Sequence, residues 1–296
     1  GTLAFIKKIL DTMNNISKFV LCFILVGFFS GYSCYSQEKA RYKCAYQFDF
    51  LSDTLTMKYF RQEIYIVQIG DNLTKGFTYQ KFYLDSLEKQ SPDLFREFFK
   101  TSVKNSFESW KRTGDISYVH NINVSYGAFP SDLYKDYRKR EIRVRDNINI
   151  HSFVYKDELK PQDWEILNDT TTILGYHCQK AQCSWRGRDW TAWFTTEIPV
   201  SEGPWKFYGL PGLITKLHDT QNHYSFVLIS FQETEEPIDT KLPKGTQKIE
   251  RKEFIRASFG EKGEMISKAE MAKVGLSNDR PIKSNYDYIE RDYNED

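Results

Sequence analysis

Charge of one sign is what this sequence most lacks. Its 296 residues carry 41 lysines and arginines against 40 aspartates and glutamates, a formal net charge of +1. So even a balance argues against a nucleic-acid footprint, which needs a basic excess on one face. Catalytic signatures are missing as well. There is no Gly-x-Ser-x-Gly elbow, no His-Glu-x-x-His helix and no phosphate loop, so motif alone names no nucleophile and no cofactor is expected. Long apolar runs are absent but for one, and no second run follows it to span a membrane. Cysteine is scarce, with 5 residues, of which Cys22 and Cys34 fall in or beside that run.

The run is Phe19 to Phe29, FVLCFILVGFF. Lys18 precedes it, Lys7 and Lys8 lie upstream, and the small residues Gly31, Ser33, Cys34 and Ser36 follow. Charged, apolar and small segments in that order read as a secretory signal peptide over 1–36. Met13 reads as the start, with 1–12 as read-through or an upstream extension. Processing after Ser36 leaves Gln37 first. Lipoprotein processing at Cys34 ranks second, because Gly31-Tyr32-Ser33 lacks the usual aliphatic residue. The expected location is secreted or periplasmic, with an outer-membrane lipoprotein as the alternative. Cys44, Cys178 and Cys183 then remain, enough for one bridge. Cys44 and Cys183 both face inward by parity, which makes them the favoured pair. The Cys178-x4-Cys183 spacing is not that of a zinc site.

What is abundant is aromatic: 22 Phe, 19 Tyr and 6 Trp, a load that suits strands and ligand grooves alike. From Arg41, Tyr42, Cys44, Tyr46, Phe48 and Phe50 share one face, the alternation of a half-buried strand. Glu63–Ile69 and Phe77–Tyr83 read as further strands. Residues 84–112 change period: Leu94, Phe95, Phe98, Phe99, Val103, Phe107 and Trp110 recur at three and four. This predicts one amphipathic helix over about Pro92–Trp110, its stripe towards a sheet. Strands resume near Ile116–Val124, Glu141–Arg145, Asn149–Tyr155, Trp164–Leu167 and Ile173–Ser184.

Two hairpins follow. The first is predicted to turn at Gly187-Arg188, setting Trp185 opposite Trp190, Cys183 opposite Ala192 and Ala181 opposite Phe194 on a core face. Arg186 and Asp189 are then opposed. An exposed ion pair contributes only about 0–1 kcal/mol, so the plain reading is a charged turn. The functional reading is that Arg186 and Arg188 form a carboxylate clamp. The second hairpin runs from about Ile214 to Phe231 and turns within Asp219–Asn222, placing His218 opposite His223. That pair is a weak metal candidate with Asp219 beside it, set against two exposed loop histidines. One or two short helices are expected over 247–275. The polar tail 277–296 reads as loosely ordered. Residues 37–276 form a single β-rich domain.

The identifying residues are Ile173 to Ala181, Arg186 to Asp189, Ala192-Trp193-Phe194, Glu197-Ile198-Pro199, Gly203 to Phe207 and Gly209-Leu210-Pro211-Gly212-Leu213-Ile214. They resemble the GLPGLI family, named for that hexapeptide. Its members are exported proteins of Gram-negative bacteria with no established activity to carry over. A weaker resemblance, of the hairpin and the Gly-Leu-Pro turn, is to the open half-barrel of lipoprotein-carrier proteins. That implies a mainly β (α+β) fold: one strongly curved antiparallel sheet with a helix packed across it. In the hexapeptide, Pro211-Gly212 is the preferred centre of a type II turn, with Gly212 at positive φ. Gly209, Pro211 and Gly212 are the structural part of the motif. Trp193, Trp205, Phe207, Tyr208 and Leu210 either plug the core or form the lip of a pocket, and with Arg186 and Arg188 they are the candidate binding residues.

The reading is an exported envelope protein that binds an apolar or peptide-like ligand or a protein partner, without catalysis. The alternatives are a hydrolase or peptidase built from scattered residues, and an accessory subunit of an outer-membrane transport machine. Intact mass of the exported protein checks the address: a chain beginning at Gln37 is expected, and a diacylated Cys34 overturns it.

Overall fold

Alternating apolar and polar residues produce the strands, and short turns set their order. The computed structural model describes residues 37–53, 58–113, 132–148, 151–263 and 288–292. The expected signal segment and the strand expected near 116–124 lie outside these residues. The strands are β1 Tyr42–Asp53, β2 Lys58–Ile69, β3 Leu73–Thr78, β4 Asp132–Asp136, β5 Glu141–Ile148 and β6 His151–Glu158, then β7 Glu165–Ile173, β8 Tyr176–Trp185, β9 Arg188–Thr195, β10 Leu213–Asp219, β11 Tyr224–Glu233 and β12 Gln247–Lys248. Among the described residues the helices are α1 Tyr79–Gln90, α2 Pro92–Thr113 and α3 Arg251–Gly263. All of the described strands join one sheet in the order β12-β6-β5-β4-β3-β2-β1-β11-β10-β9-β8-β7. Every pairing is antiparallel except β12 with β6. Two meanders, β1 to β6 and β7 to β11, are thus zipped together by β1 and β11.

Connectivity makes this sheet curl. β6 is second in the order and β7 twelfth, which in a flat sheet is about 48 Å at roughly 4.8 Å per strand. Only residues 159–164 join them, and so short a stretch reaches at most about 25 Å. The two ends must therefore approach, and Arg186, in the β8–β9 turn, donates to Asp157 of β6 at 2.9 Å.

Inside the curl lies one apolar core. Cys44, Tyr46, Phe48 and Phe50 of β1 face into it as the alternation predicts, beside Tyr224, Phe226 and Leu228 of β11. The rings of Phe48 and Phe226 stack at 4.2 Å. The aromatic segment before β10 fills the rest: Trp205, Phe207 and Leu210 are buried, and Phe207 packs 4.6 Å from Trp190. It is a plug, not a lip.

Backbone buried without a ladder needs other partners. Lys135 of β4, fully buried, donates to the carbonyls of Gly203 (3.2 Å) and Phe207 (2.9 Å) and to Glu202 Oε2 (2.7 Å). Glu202 also accepts from Tyr137 and Thr74. Gln162 accepts from the Tyr208 amide and donates to the Lys206 carbonyl, while Trp164 donates to the Tyr208 carbonyl. Burial lowers the Lys135 ammonium from its ordinary value, against the pull of Glu202.

Several expectations are corrected. Phe77–Tyr83 is not a strand: β3 ends at Thr78 and α1 begins at Tyr79, because Lys81 and Leu84, three apart, turn inward on a helical period. Helix α1 lies on the outer face of the sheet. Its Phe82 meets Phe77 of β3 at 5.5 Å, whereas Thr74, on the opposite face of β3, points to Glu202 in the core. The α2 stripe is only partly packed, with Phe95 buried and Leu94 and Phe98 exposed; the side chains of Phe99, Val103, Phe107 and Trp110 lie outside the described residues. The strand expected over Ile173–Ser184 is broken by a turn at Leu174-Gly175, both at positive φ.

Gly212 is not at positive φ either; Gly209 is. The Gly212 amide bonds back to the Leu210 carbonyl at 2.8 Å, a three-residue turn around Pro211 instead of type II. Glycine is required at 212 because a Cβ there would run into the Thr195 carbonyl. Cys44, Cys178 and Cys183 are all free and buried. Cys44 and Cys183 do not pair, since β11, β10 and β9 stand between their strands. Burial pushes the Cys183 thiol up to about 12 and raises that of Cys44 as well.

By urea unfolding, Gly212→Ala should cost about 1–3 kcal/mol from overpacking, and Leu210→Ala about 2–5 kcal/mol from the cavity it leaves. A Leu210→Ala chain as stable as the parent would contradict the plug.

Candidate functional site

Arg186 and Gly187 occupy the β8–β9 turn with φ of 49° and 73°, the two positive values of a type I′ turn. The observed pairs are Ala181 with Ala192, Cys183 with Trp190 and Trp185 with Arg188. The expected pairs, Trp185 with Trp190, Cys183 with Ala192 and Ala181 with Phe194, are therefore each displaced. The turn is Arg186-Gly187, not Gly187-Arg188, since Gly supplies the second positive φ without strain. Face membership survives, but Arg188 now ends the inward-facing row and is buried. Arg186 does not pair with Asp189, whose carboxylate accepts from Ser184 at 2.5 Å.

Both arginines hold a short irregular piece of the chain itself. The tail expected to be loose is seated over Tyr288–Asp292, with Tyr288, Ile289 and Glu290 buried. Arg188 Nη1 donates to Asp219 Oδ2 and its Nη2 to the Tyr288 carbonyl, each at 2.9 Å. The Arg291 amide donates to the Arg186 carbonyl at 2.8 Å. Three cations converge on the fully buried Glu290: Lys206 Nζ at 2.6 Å, Arg251 Nη1 at 2.7 Å and Arg186 Nη1 at 2.9 Å. Arg251 of α3 also grips both oxygens of Asp292. Arg186 grips both oxygens of Asp157, which Lys206 meets at 2.9 Å.

Lys206, Arg186 and Arg251 are thus balanced by Asp157, Glu290 and Asp292, and the tail supplies two of the three carboxylates. Burial works to raise the Asp157 carboxyl, but Lys206 and Arg186 outweigh it and hold the group below its ordinary value. Asp292 is lowered likewise: burial is overcome by its bond to Arg251 and the charge of Arg186. The arrangement neutralises a pair of carboxylates carried two residues apart on one segment.

The other sequence candidates fall elsewhere. Trp205, Phe207, Tyr208 and Leu210 are core, with Tyr208 at the side of the plug and its hydroxyl raised by burial to about 12. Trp193 is half-buried on the outer face, beneath Lys180. His218 pairs with Ser225, not with His223, because the turn is one residue later than expected on the second strand and on the first. Its Nδ1 lies 3.1 Å from the Asp219 carbonyl, and His223 is buried. Among the described residues no cluster of His, Cys, Asp and Glu could hold a metal. Sequence reasoning missed Lys206, Arg251, Asp157, Glu290 and Asp292. The one signal was Tyr288-Ile289, an apolar pair inside a polar tail.

Residues 185–216 match a family model described as "Protein of unknown function (Porph_ging)"; the matched stretch contains Arg186, Arg188 and Lys206. No curated protein matches. The chain is similar to the solved structures titled "Structure of PNGF-II in P21 space group" (16% identity, TM-score 0.47) and "Structure of PNGF-II in C2 space group" (18%, TM-score 0.45). Each likeness covers 74% of this chain and 33% of that chain, so the chain spans about a third of the length of the solved chains it matches.

The depressed carboxylates give the fold a pH dependence. Asp157 and Asp292 contribute stability that is present above the ordinary carboxylate value near pH 4 and is lost as pH falls through their lower folded values. Urea midpoints should drop between about pH 4 and pH 2. They should drop less over that window in Asp157→Asn, which is already less stable at pH 6.

Proposed function

We propose that this is an exported binding protein without catalysis, whose clamp takes a peptide-like segment carrying two carboxylates two residues apart. One observation carries the reading: Arg186, Arg188, Lys206 and Arg251 hold Tyr288–Asp292 by main chain and side chain together, as a receptor holds a peptide. Without that segment the three cations at Glu290 would face Asp157 alone, a site in want of anionic ligand. An external ligand is a partner's acidic segment that competes with the tail. Export rests on the Phe19–Phe29 run and on the GLPGLI resemblance, and puts the protein in the periplasm or outside the cell. The curl of the sheet supports an open half-barrel, its mouth filled by 199–212 and 288–290 where the carrier analogy would place a helix. The accessory-subunit reading has its own support: Tyr79, Phe82 and Tyr83 of α1 are about half exposed, an apolar patch of the kind that meets partners.

The test uses the full chain with the tail's anchors removed, Glu290→Ala with Asp292→Ala, and a fluorescent peptide of residues 286–296. That chain should bind the peptide at least about tenfold more tightly than the parent, whose own tail competes. Adding Arg186→Ala should abolish the difference. A folded double variant that takes up no peptide would sink the proposal.

A further inference from the structure

A second surface lies on the outer face of the sheet, away from the clamp. Nine large apolar side chains stand exposed among the described residues, and six of them fall on the α1–α2 hairpin and the strand beside it: Ile64 of β2, Tyr79, Phe82 and Tyr83 of α1, and Leu94 and Phe98 of α2. Tyr79, Phe82 and Tyr83 are three and four residues apart and therefore share one side of α1, opposite the buried Lys81 and Leu84. Ile64 lies one ladder step past the Tyr65–Thr78 pair, beside the start of α1, and shares the outer face of β2 with Ile66, the partner of Phe77. Leu94 and Phe98, four apart, share one side of α2. Single exposed apolar residues are ordinary, but a concentration of them marks a surface that meets something.

Charge separates the possible occupants. Residues 79–113 carry seven lysines and arginines against five aspartates and glutamates, while the whole chain carries 41 against 40. The hairpin is therefore net positive and the remainder net negative. On α1, Asp85 is turned to the sheet side, where it takes Lys81, with Arg145 at 3.7 Å. Lys89, seven residues after Phe82 and on the same side of the helix, is exposed. A second copy meeting this face about a two-fold axis would set the same positive excess against itself. An anionic lipid surface matches it. The rings suit such a surface for a separate reason, since an apolar ring with a polar tip sits where hydrocarbon meets water. Helices that lie in that plane combine an apolar side with lysines and arginines on the other.

We propose that the α1–α2 hairpin docks on an anionic lipid surface, with Tyr79, Phe82 and Tyr83 entering the headgroup layer and the hairpin's excess of lysine and arginine drawn to the lipid phosphates. The docking does not depend on the clamp or on its occupant. The test sediments the mature chain, beginning at Gln37 and so free of the apolar run Phe19–Phe29, with vesicles of phosphatidylcholine alone or mixed with phosphatidylglycerol. Binding to the mixed vesicles is expected, weaker on phosphatidylcholine alone and weaker as salt is raised. Tyr79→Ser with Tyr83→Ser should weaken it by at least about tenfold, since two rings no longer enter the apolar layer. Lys89→Glu with Lys100→Glu should weaken binding to the mixed vesicles and leave that to phosphatidylcholine unchanged. All four residues are exposed, so both variants should fold as the parent does, which circular dichroism checks. The proposal is overturned if the parent does not sediment with the mixed vesicles, or if the tyrosine variant binds them as tightly as the parent. A parent that ignores vesicles yet self-associates in sedimentation velocity, and loses this in the tyrosine variant, would assign the face to a second copy instead.

Discussion

Everything in this fold answers to one constraint: a stretch of irregular backbone, residues 202–208, is buried inside a curled sheet. Outside a ladder, each amide and carbonyl there must find a partner or cost about 1–3 kcal/mol. Lys135 meets that need from β4 and Gln162 from the connection between β6 and β7. Tyr46 of β1 adds a bond to the Ile214 carbonyl where the segment enters β10. These contacts tie the two meanders to a common filling. The curl that brings β6 near the β8–β9 turn is the same curl that encloses the segment.

Enclosure then creates an electrostatic problem. Lys206 lies in the plug with no exposure, and a buried ammonium is tolerated only when paired. Asp157 of β6 pairs with it, and Glu290 pairs with it from the tail. Arg186 and Arg251 complete a neutral cluster in which β6, the β8–β9 turn, the plug, α3 and the tail each contribute a charge. A buried network of this kind adds less stability than its number of bonds suggests, because desolvation offsets much of the gain. Removing either tail carboxylate leaves a cation unmatched, which costs far more than an absent contact at the surface.

Much of the core was legible in the residues, and the reason is parity. Residues 42, 44, 46, 48 and 50 face inward because strands alternate, whatever the neighbours do. The inward set of the β8–β9 hairpin was right for the same reason, although its register was displaced. The misses have physical causes. Phe77–Tyr83 is rich in residues that suit strands, yet Lys81 and Leu84 pack on a helical period, and packing overrides propensity. Gly212 follows the Pro-Gly rule for a type II turn, but the approach of Thr195 from another strand decides its conformation, and no local pattern reports that. The tail looks unable to fold by composition. Residues 288–292 of it are held because three cations, distant in sequence, gather around Glu290.

The clamp itself depends on which two residues make one turn. Were Gly187 and Arg188 the turn, Arg188 would sit at the tip in water and Arg186 would face Asp189 as an ordinary surface pair. With Arg186 and Gly187 in the turn, Gly187 takes the second positive φ, and Arg188 becomes the last residue of the inward-facing row. There it reaches Asp219 on β10 and the Tyr288 carbonyl. Arg186, freed from its cross-strand partner, extends from the tip to Asp157 and Glu290 across the gap between the sheet's ends. Lacking a side chain at 187 also lets the tail lie against the turn, since a Cβ there would stand 2.9 Å from that of Arg291. A displacement of one residue on each strand, neutral for the apolar core, is therefore what brings both arginines onto residues 288–292.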